Sequence, residues 1–251
     1  MEAMHHEVNN FWLDWQIAPE LFIPLILITY LYRRNFGGNQ NAKYFYAGIF
    51  SAVFVIQTPI GTNAMNFFWC HMVQHMVLMM LTGPLLVMGT PPEFFPSGFI
   101  KKVFEILINP WLSWFLYAGL MIGVHLTPVH SFIMNNSWMH TYLEIPLYFL
   151  IAYCFYFSIL ERDGVARRMS PAIAIFSLFF MMVPETLTGF FIYVSPGSVY
   201  ENMYTLNDQR RGGSLMWAGS MILDAIWISI AVSHWIKSEE RKALEMDAEN
   251  G

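Results

Sequence analysis

Seven apolar stretches separated by polar or chain-breaking segments organise the chain: Ile17–Tyr32, Tyr44–Ile60, Asn66–Met88, Trp111–Thr127, Trp138–Leu160, Pro171–Tyr193 and Ser214–Ile236. A bilayer core of about 30 Å takes ~20 apolar residues per helix, so the pattern predicts an all-α polytopic membrane bundle of about seven transmembrane helices. The first two stretches are short, and they contain or end near Glu20, Pro24, Gln57 and Pro59. Residues Pro91–Pro110 are too polar to span. Phe94, Phe95, Phe99, Val103, Phe104, Leu107 and Ile108 there supply the apolar side of an interfacial helix. The predicted organisation is an external N-terminal segment (1–16), a seven-helix transmembrane domain (17–236) and a charged cytoplasmic tail (237–251) that reads as a fraying helix end. There is no internal repeat.

Lys and Arg accumulate on the cytoplasmic side of membrane proteins, and here they alternate with the stretches. Arg33, Arg34 and Lys43 follow the first, Lys101 and Lys102 the third, Arg162, Arg167 and Arg168 the fifth, and Lys237, Arg241 and Lys242 the seventh. Only Arg210 and Arg211 fall on the other side. The N-terminus is therefore expected outside and the C-terminus inside, with the protein in the cytoplasmic (inner) membrane of its cell. Met1 to Trp15 hold Glu2, Glu7 and Asp14 but no Lys or Arg, so they lack the basic start of a cleavable signal peptide. The first stretch is accordingly expected to stay in the mature protein.

Composition agrees with the bilayer as the chain's solvent. Charged residues are 12% of the 251, where soluble domains carry roughly a quarter. Aromatic residues are 17%, with Trp and Tyr near the ends of the apolar runs, where such rings favour the headgroup region. A net charge of -5 offers no basic surface, which argues against a nucleic-acid partner. Cys70 and Cys154 fall on different helices at different depths, so no disulfide is expected between them.

The predicted orientation gives each polar side chain a depth. His71, His75, His125, His130 and His140 fall toward the outer side, with Glu144 one turn below His140, Glu185 in the outer third of the sixth helix and Asp208 in the outer loop before the seventh. His5 and His6 are outer too, in what reads as a mobile tail, and only His234 is inner. Residues four apart share a helix face. His71, His75 and Met79 form one such ladder; Met72, Met76 and Met80 form another about 100° around. Imidazole suits several transition metals and thioether sulfur selects Cu(I), so copper is the best match. Cys70 points away from the histidine face, most methionines read as core filling, and His130 reads as a solvated loop residue. Asp224, mid-helix in the seventh stretch, must be protonated or paired; relaying a proton and pinning a neighbouring helix both remain open.

The run Trp69-Cys70-His71-Met72-Val73-Gln74-His75-Met76, continuing through Gly83-Pro84-Leu85-Leu86-Val87-Met88-Gly89-Thr90-Pro91, resembles the signature of the multi-span CtaG family of cytochrome c oxidase assembly factors. His125-Leu126-Thr127-Pro128 and Asp208-Gln209, followed by Gly212-Gly213 and Met216-Trp217, agree in the same order. The resemblance implies a seven-helix, non-enzymatic protein that helps copper reach a haem-copper oxidase. It marks His71, His75, His125 and His140 as candidate metal ligands and Asp208 for a structural or ligand role. Met79 and Glu144 complete the candidate set. Glu144 stands where the family pattern often carries a second histidine, and Arg210-Arg211 is a pair its motif usually lacks.

Four functions follow. The first is a copper-handling assembly factor whose partner is a haem-copper oxidase subunit or another membrane or periplasmic copper protein. The alternative is a haem b-binding redox protein in which two histidines on facing helices ligate the iron. A di-metal oxidase would want more carboxylates, and a transporter would use Asp224 and Glu185 as coupling groups.

Overall fold

The computed structural model describes residues 11–15, 17–91, 94, 97–160, 169–201 and 203–250. His5, His6, Phe95, Arg162, Arg167 and Arg168 lie outside the described residues. Every regular element described is helical. Among the described residues, and leaving aside the single turns at Phe11–Leu13 and Pro59–Thr62, nine helices carry the architecture: α1 (Pro19–Phe36), α2 (Ala42–Gln57), α3 (Phe68–Gly89), α4 (Gly98–Leu107), α5 (Pro110–Gly123), α6 (Thr127–Met134), α7 (Ser137–Ile159), α8 (Pro171–Val194) and α9 (Leu206–Ala248).

Four of these, α3, α7, α8 and α9, are long and apolar enough to cross a membrane. A fifth span arises if α4 and α5, bent by 72° at their junction, count as one. The predicted total of seven also draws on α1 and α2. The first carries Glu20, Arg33 and Arg34 at its ends and the second is only 16 residues long, the shortness and polarity already visible in the first two stretches. Outside that count, α4 keeps Phe99, Ile100 and Ile106 exposed with no buried residue, as an interfacial helix would. The tail does not fray early; the helix continues to Asn250.

The post of the bundle is α3. Its apolar window is 67% buried, against 28% for α8 and 22% for α9, so α3 is enclosed by protein while α8 turns Phe176, Phe179, Phe180 and Phe191 outward. Small residues let neighbours approach it closely. A Cβ on Gly83 would lie 2.8 Å from the Ala152 side chain of α7, and one on Gly89 would meet the Phe45 backbone at 2.3 Å. Polar ties complete the contact, with Tyr32 Oη donating to Gly89 O (2.7 Å) and Trp227 Nε1 donating to Met80 O (2.6 Å). Three helices widen into single π-helical turns, at Val77–Thr82, His140–Glu144 and Leu215–Gly219, a local feature frequent at functional sites.

Candidate metal centre

The first turn of α3 places His71. A helix leaves its first backbone N–H groups without intrahelical partners, and the Phe67 side chain cannot cap them. Asp208, from the first turn of α9, does so instead: Phe68 N–H donates to Oδ2 (2.7 Å) and Trp69 N–H to Oδ1 (3.3 Å). Asp208 thus acts structurally, fixing the start of the helix that carries His71 and His75. Its two oxygens face backbone rather than the histidines.

From there the imidazoles gather around His71. Its ring centroid lies 5.2 Å from His130, 5.7 Å from His140 and 6.4 Å from both His75 and His125. His75 and His125 are 5.2 Å apart, and His125 and His130 6.4 Å. All five rings are buried. His71, His140 and Glu144 each bring one ligand-capable atom within 4.8 Å of the others. A tetrahedral ion with bonds of about 2 Å sets its ligands about 3.4 Å apart, within reach of small side-chain rotations.

Hydrogen bonding orients several of these groups. His140 Nδ1 lies 2.6 Å from Glu144 Oε2, and Tyr148 Oη donates to Glu144 Oε1 at 2.7 Å. His71 Nε2 lies 3.8 Å from that same Oε1. His125 Nδ1 pairs with the Met121 carbonyl, which can only accept, so Nδ1 carries the proton and Nε2 presents its lone pair. His130 Nε2 meets the Tyr204 hydroxyl at 3.0 Å.

What remains is a set of buried nitrogens with no hydrogen-bond partner among the described residues: both on His71, both on His75, Nε2 of His125 and Nδ1 of His130. Each buried polar atom left unpaired costs about 1–3 kcal/mol. A packing role would leave that cost standing, whereas an ion that accepts lone pairs would offset it. The donor set, imidazoles with one carboxyl group, fits a borderline or soft transition metal.

Two candidates sit differently from the sequence reading. His130 is not a solvated loop residue. Pro128 in the first turn starts a new helix, α6, which folds His130 under Tyr200, Tyr204 and Phe68 (ring centroids at 4.2, 5.7 and 5.6 Å). Burial and the neighbouring His125 push its imidazole down to about 3, so it is neutral at physiological pH and able to act as a ligand. Met79 is fully buried in the π-helical turn beyond His75, packed in the apolar core. Tyr148, which the sequence reading missed, continues the His140–Glu144 ladder by four more residues, and that spacing could have found it. A cleft of about 390 Å³ lined by Phe157, His234, Arg241 and Lys242 lies at the other end of the bundle and contains none of the candidate ligands.

The chain is similar to an uncharacterized protein of Mycobacterium leprae (strain TN), 24% identical over 230 residues that cover 80% of this chain and 35% of that protein. Uncharacterized proteins of Mycobacterium bovis and Mycobacterium tuberculosis are each 23% identical over 229 residues, covering 80% of this chain and 34% of theirs. The chain therefore spans about a third of the length of these relatives. No solved structure matches it. The family model for the cytochrome c oxidase caa3 assembly factor matches residues 26–238, a stretch that contains every candidate ligand named above. The chain belongs to the cytochrome c oxidase caa3 assembly factor (Caa3_CtaG) family.

Proposed function

We propose that this chain is a non-enzymatic copper-handling assembly factor, which binds copper through histidines near the outer membrane face and passes it to the haem-copper oxidase or to another membrane or periplasmic copper protein. The observation that carries the reading is the convergence on His71 of buried, unpartnered imidazole nitrogens beside Glu144. His71, His75, His125 and His140 act as ligands in this account, with His130 as a fifth. Glu144 is a ligand or the acceptor that orients His140, and Met79 is a reserve thioether for Cu(I). Copper is cargo here, and a ligand set of exchangeable imidazoles suits release to a partner better than a closed thiolate cage does.

The same proposal includes seven spans, with α1 and α2 crossing despite their short apolar lengths. The N-terminus and residues 1–16 are outside and residues 237–251 inside, in the cytoplasmic membrane. The lopsided distribution of Lys and Arg supports this orientation. It puts the first turns of α3 and α7, and hence the histidines, at the outer face, where a periplasmic client could reach them.

Bis-histidine haem is the competing reading. The packing disfavours it, because His75 and His125, a pair that could ligate the iron, stand with ring centroids only 5.2 Å apart, and His71 adds four imidazole neighbours within 6.4 Å, a crowd of donors rather than two opposed rings. Elemental analysis and the visible spectrum of the purified protein test the choice. Bound copper without a haem Soret band is expected, and a Soret band with no copper would reverse the assignment.

A further inference from the structure

Two buried carboxyl groups take no part in the histidine centre. Glu185 projects from α8 and Asp224 from α9, with 0% and 1% of their surfaces exposed. The two carboxyls face each other. Tyr117 of α5 directs its hydroxyl at Glu185 without reaching hydrogen-bonding geometry, and Tyr156 of α7 adjoins Tyr117 with ring centroids 6.4 Å apart. Four helices thus bring carboxyl and phenol oxygens to one place inside the bundle.

The local balance is incomplete. Both oxygens of Glu185, Oδ2 of Asp224 and the fully buried hydroxyl of Tyr117 have no partner among the described residues. No Lys, Arg or His is among the described groups that act on either carboxyl; Tyr117, Tyr156 and the opposing carboxyl are the titratable groups facing the pair. Ionisable side chains inside a membrane persist only when something neutralises them, and two carboxylates sharing one site cannot both remain ionised. The missing element is therefore a cation. Copper, a soft ion, is a poor match for carboxyl and phenol oxygens, and hard metal ions take six or more oxygens, a number that two carboxyls and two phenols reach only if every oxygen is a ligand. A proton needs only two oxygens that face each other.

We propose that Glu185 and Asp224 form a proton-binding site within the membrane, holding a proton shared between their carboxyls, with the Tyr117 hydroxyl available to the oxygen left over. The site is separate from the histidine centre but mechanically tied to it. One turn after Asp224, Trp227 donates to the Met80 carbonyl in the π-helical turn that follows His75.

Infrared spectroscopy of the purified protein at neutral pH, in H2O and D2O, tests the proposal without reference to copper. A C=O stretch of a protonated carboxyl, shifted by deuteration, is expected in the native protein. It should move in Glu185→Gln and in Asp224→Asn, because a carboxyl facing an amide is not hydrogen-bonded as one facing a carboxylate is, and it should vanish in the double variant. The near-isosteric substitutions preserve packing, and the native spectrum serves as the reading if a variant does not fold. Absence of the band in the native protein, or its survival unchanged in the double variant, would overturn the proposal. So would a hard metal ion that is retained by the native protein and lost from the double variant.

Discussion

Asp208→Ala removes the carboxylate that stands in for an N-cap on α3, and its effect can be sized from the two bonds it makes. Hydrogen bonds to a charged group contribute about 1.5–3 kcal/mol, and of these two the 2.7 Å bond to Phe68 N–H is the stronger and the 3.3 Å bond to Trp69 N–H the weaker. Losing a cap costs about 0.5–2 kcal/mol in general. Local opening of the first turn of α3 should therefore become easier by about 2 kcal/mol, roughly 30-fold at 1.4 kcal/mol per tenfold. Asp208→Asn keeps one acceptor oxygen and should lose about half of that. Cys70 reports the opening directly, since it sits in this turn, is fully buried and is a free thiol. Cys154, equally free and buried in the last third of α7, is the internal reference. Alkylation of Cys70 by a small thiol reagent should accelerate about 30-fold in the alanine variant and about 5-fold in the asparagine variant, with Cys154 unchanged. Native-like rates at Cys70 in both variants would refute the capping role.

Other substitutions probe different links. Glu144→Gln removes the charge that receives His140 and Tyr148, and should weaken copper binding about 10–100-fold in competition with a chelator; undiminished affinity would remove Glu144 from the centre. Gly213→Ala places a Cβ 2.8 Å from Tyr193 N and 2.9 Å from Gly189 O, which should force α8 from α9 and lower stability by roughly 1–3 kcal/mol; an unchanged unfolding midpoint in detergent would show that the helices separate freely. Met79→Leu conserves volume and should cost less than about 1.5 kcal/mol. It should leave copper binding near native unless Cu(I) is the cargo, a distinction that loading under reducing and oxidising conditions reads out.

The parts legible in the sequence are those governed by local periodicity. The four-residue spacing of His71 and His75 puts both rings on one face of α3, where they lie 19° from parallel. The spacing of His140 and Glu144 does the same on α7, through a π-helical turn that no residue pattern announces. Contacts that join distant segments were not legible. Nothing local to Asp208 says that it caps a helix 140 residues earlier. His130 was misread because Pro128 signals a break, and a break next to polar residues reads as loop. Only the packing of Tyr200 and Tyr204 reveals that a short helix returns over the bundle. The facing of Glu185 and Asp224 likewise depends on the rotation of α8 against α9, which the close approach of Gly189 and Gly213 fixes and which single-helix periodicity does not contain.

The central claim is that the histidines around His71 hold copper, and metal occupancy in a His71→Ala/His75→Ala double variant tests it most directly. Both side chains face the interior, and removing polar groups does not oppose membrane insertion, so the variant should reach the membrane in native amounts. Copper measured per chain after purification should fall to background, and cells carrying the variant should make the oxidase chain yet leave it short of copper. Native copper occupancy together with native oxidase activity would contradict the account and reduce the pair to packing.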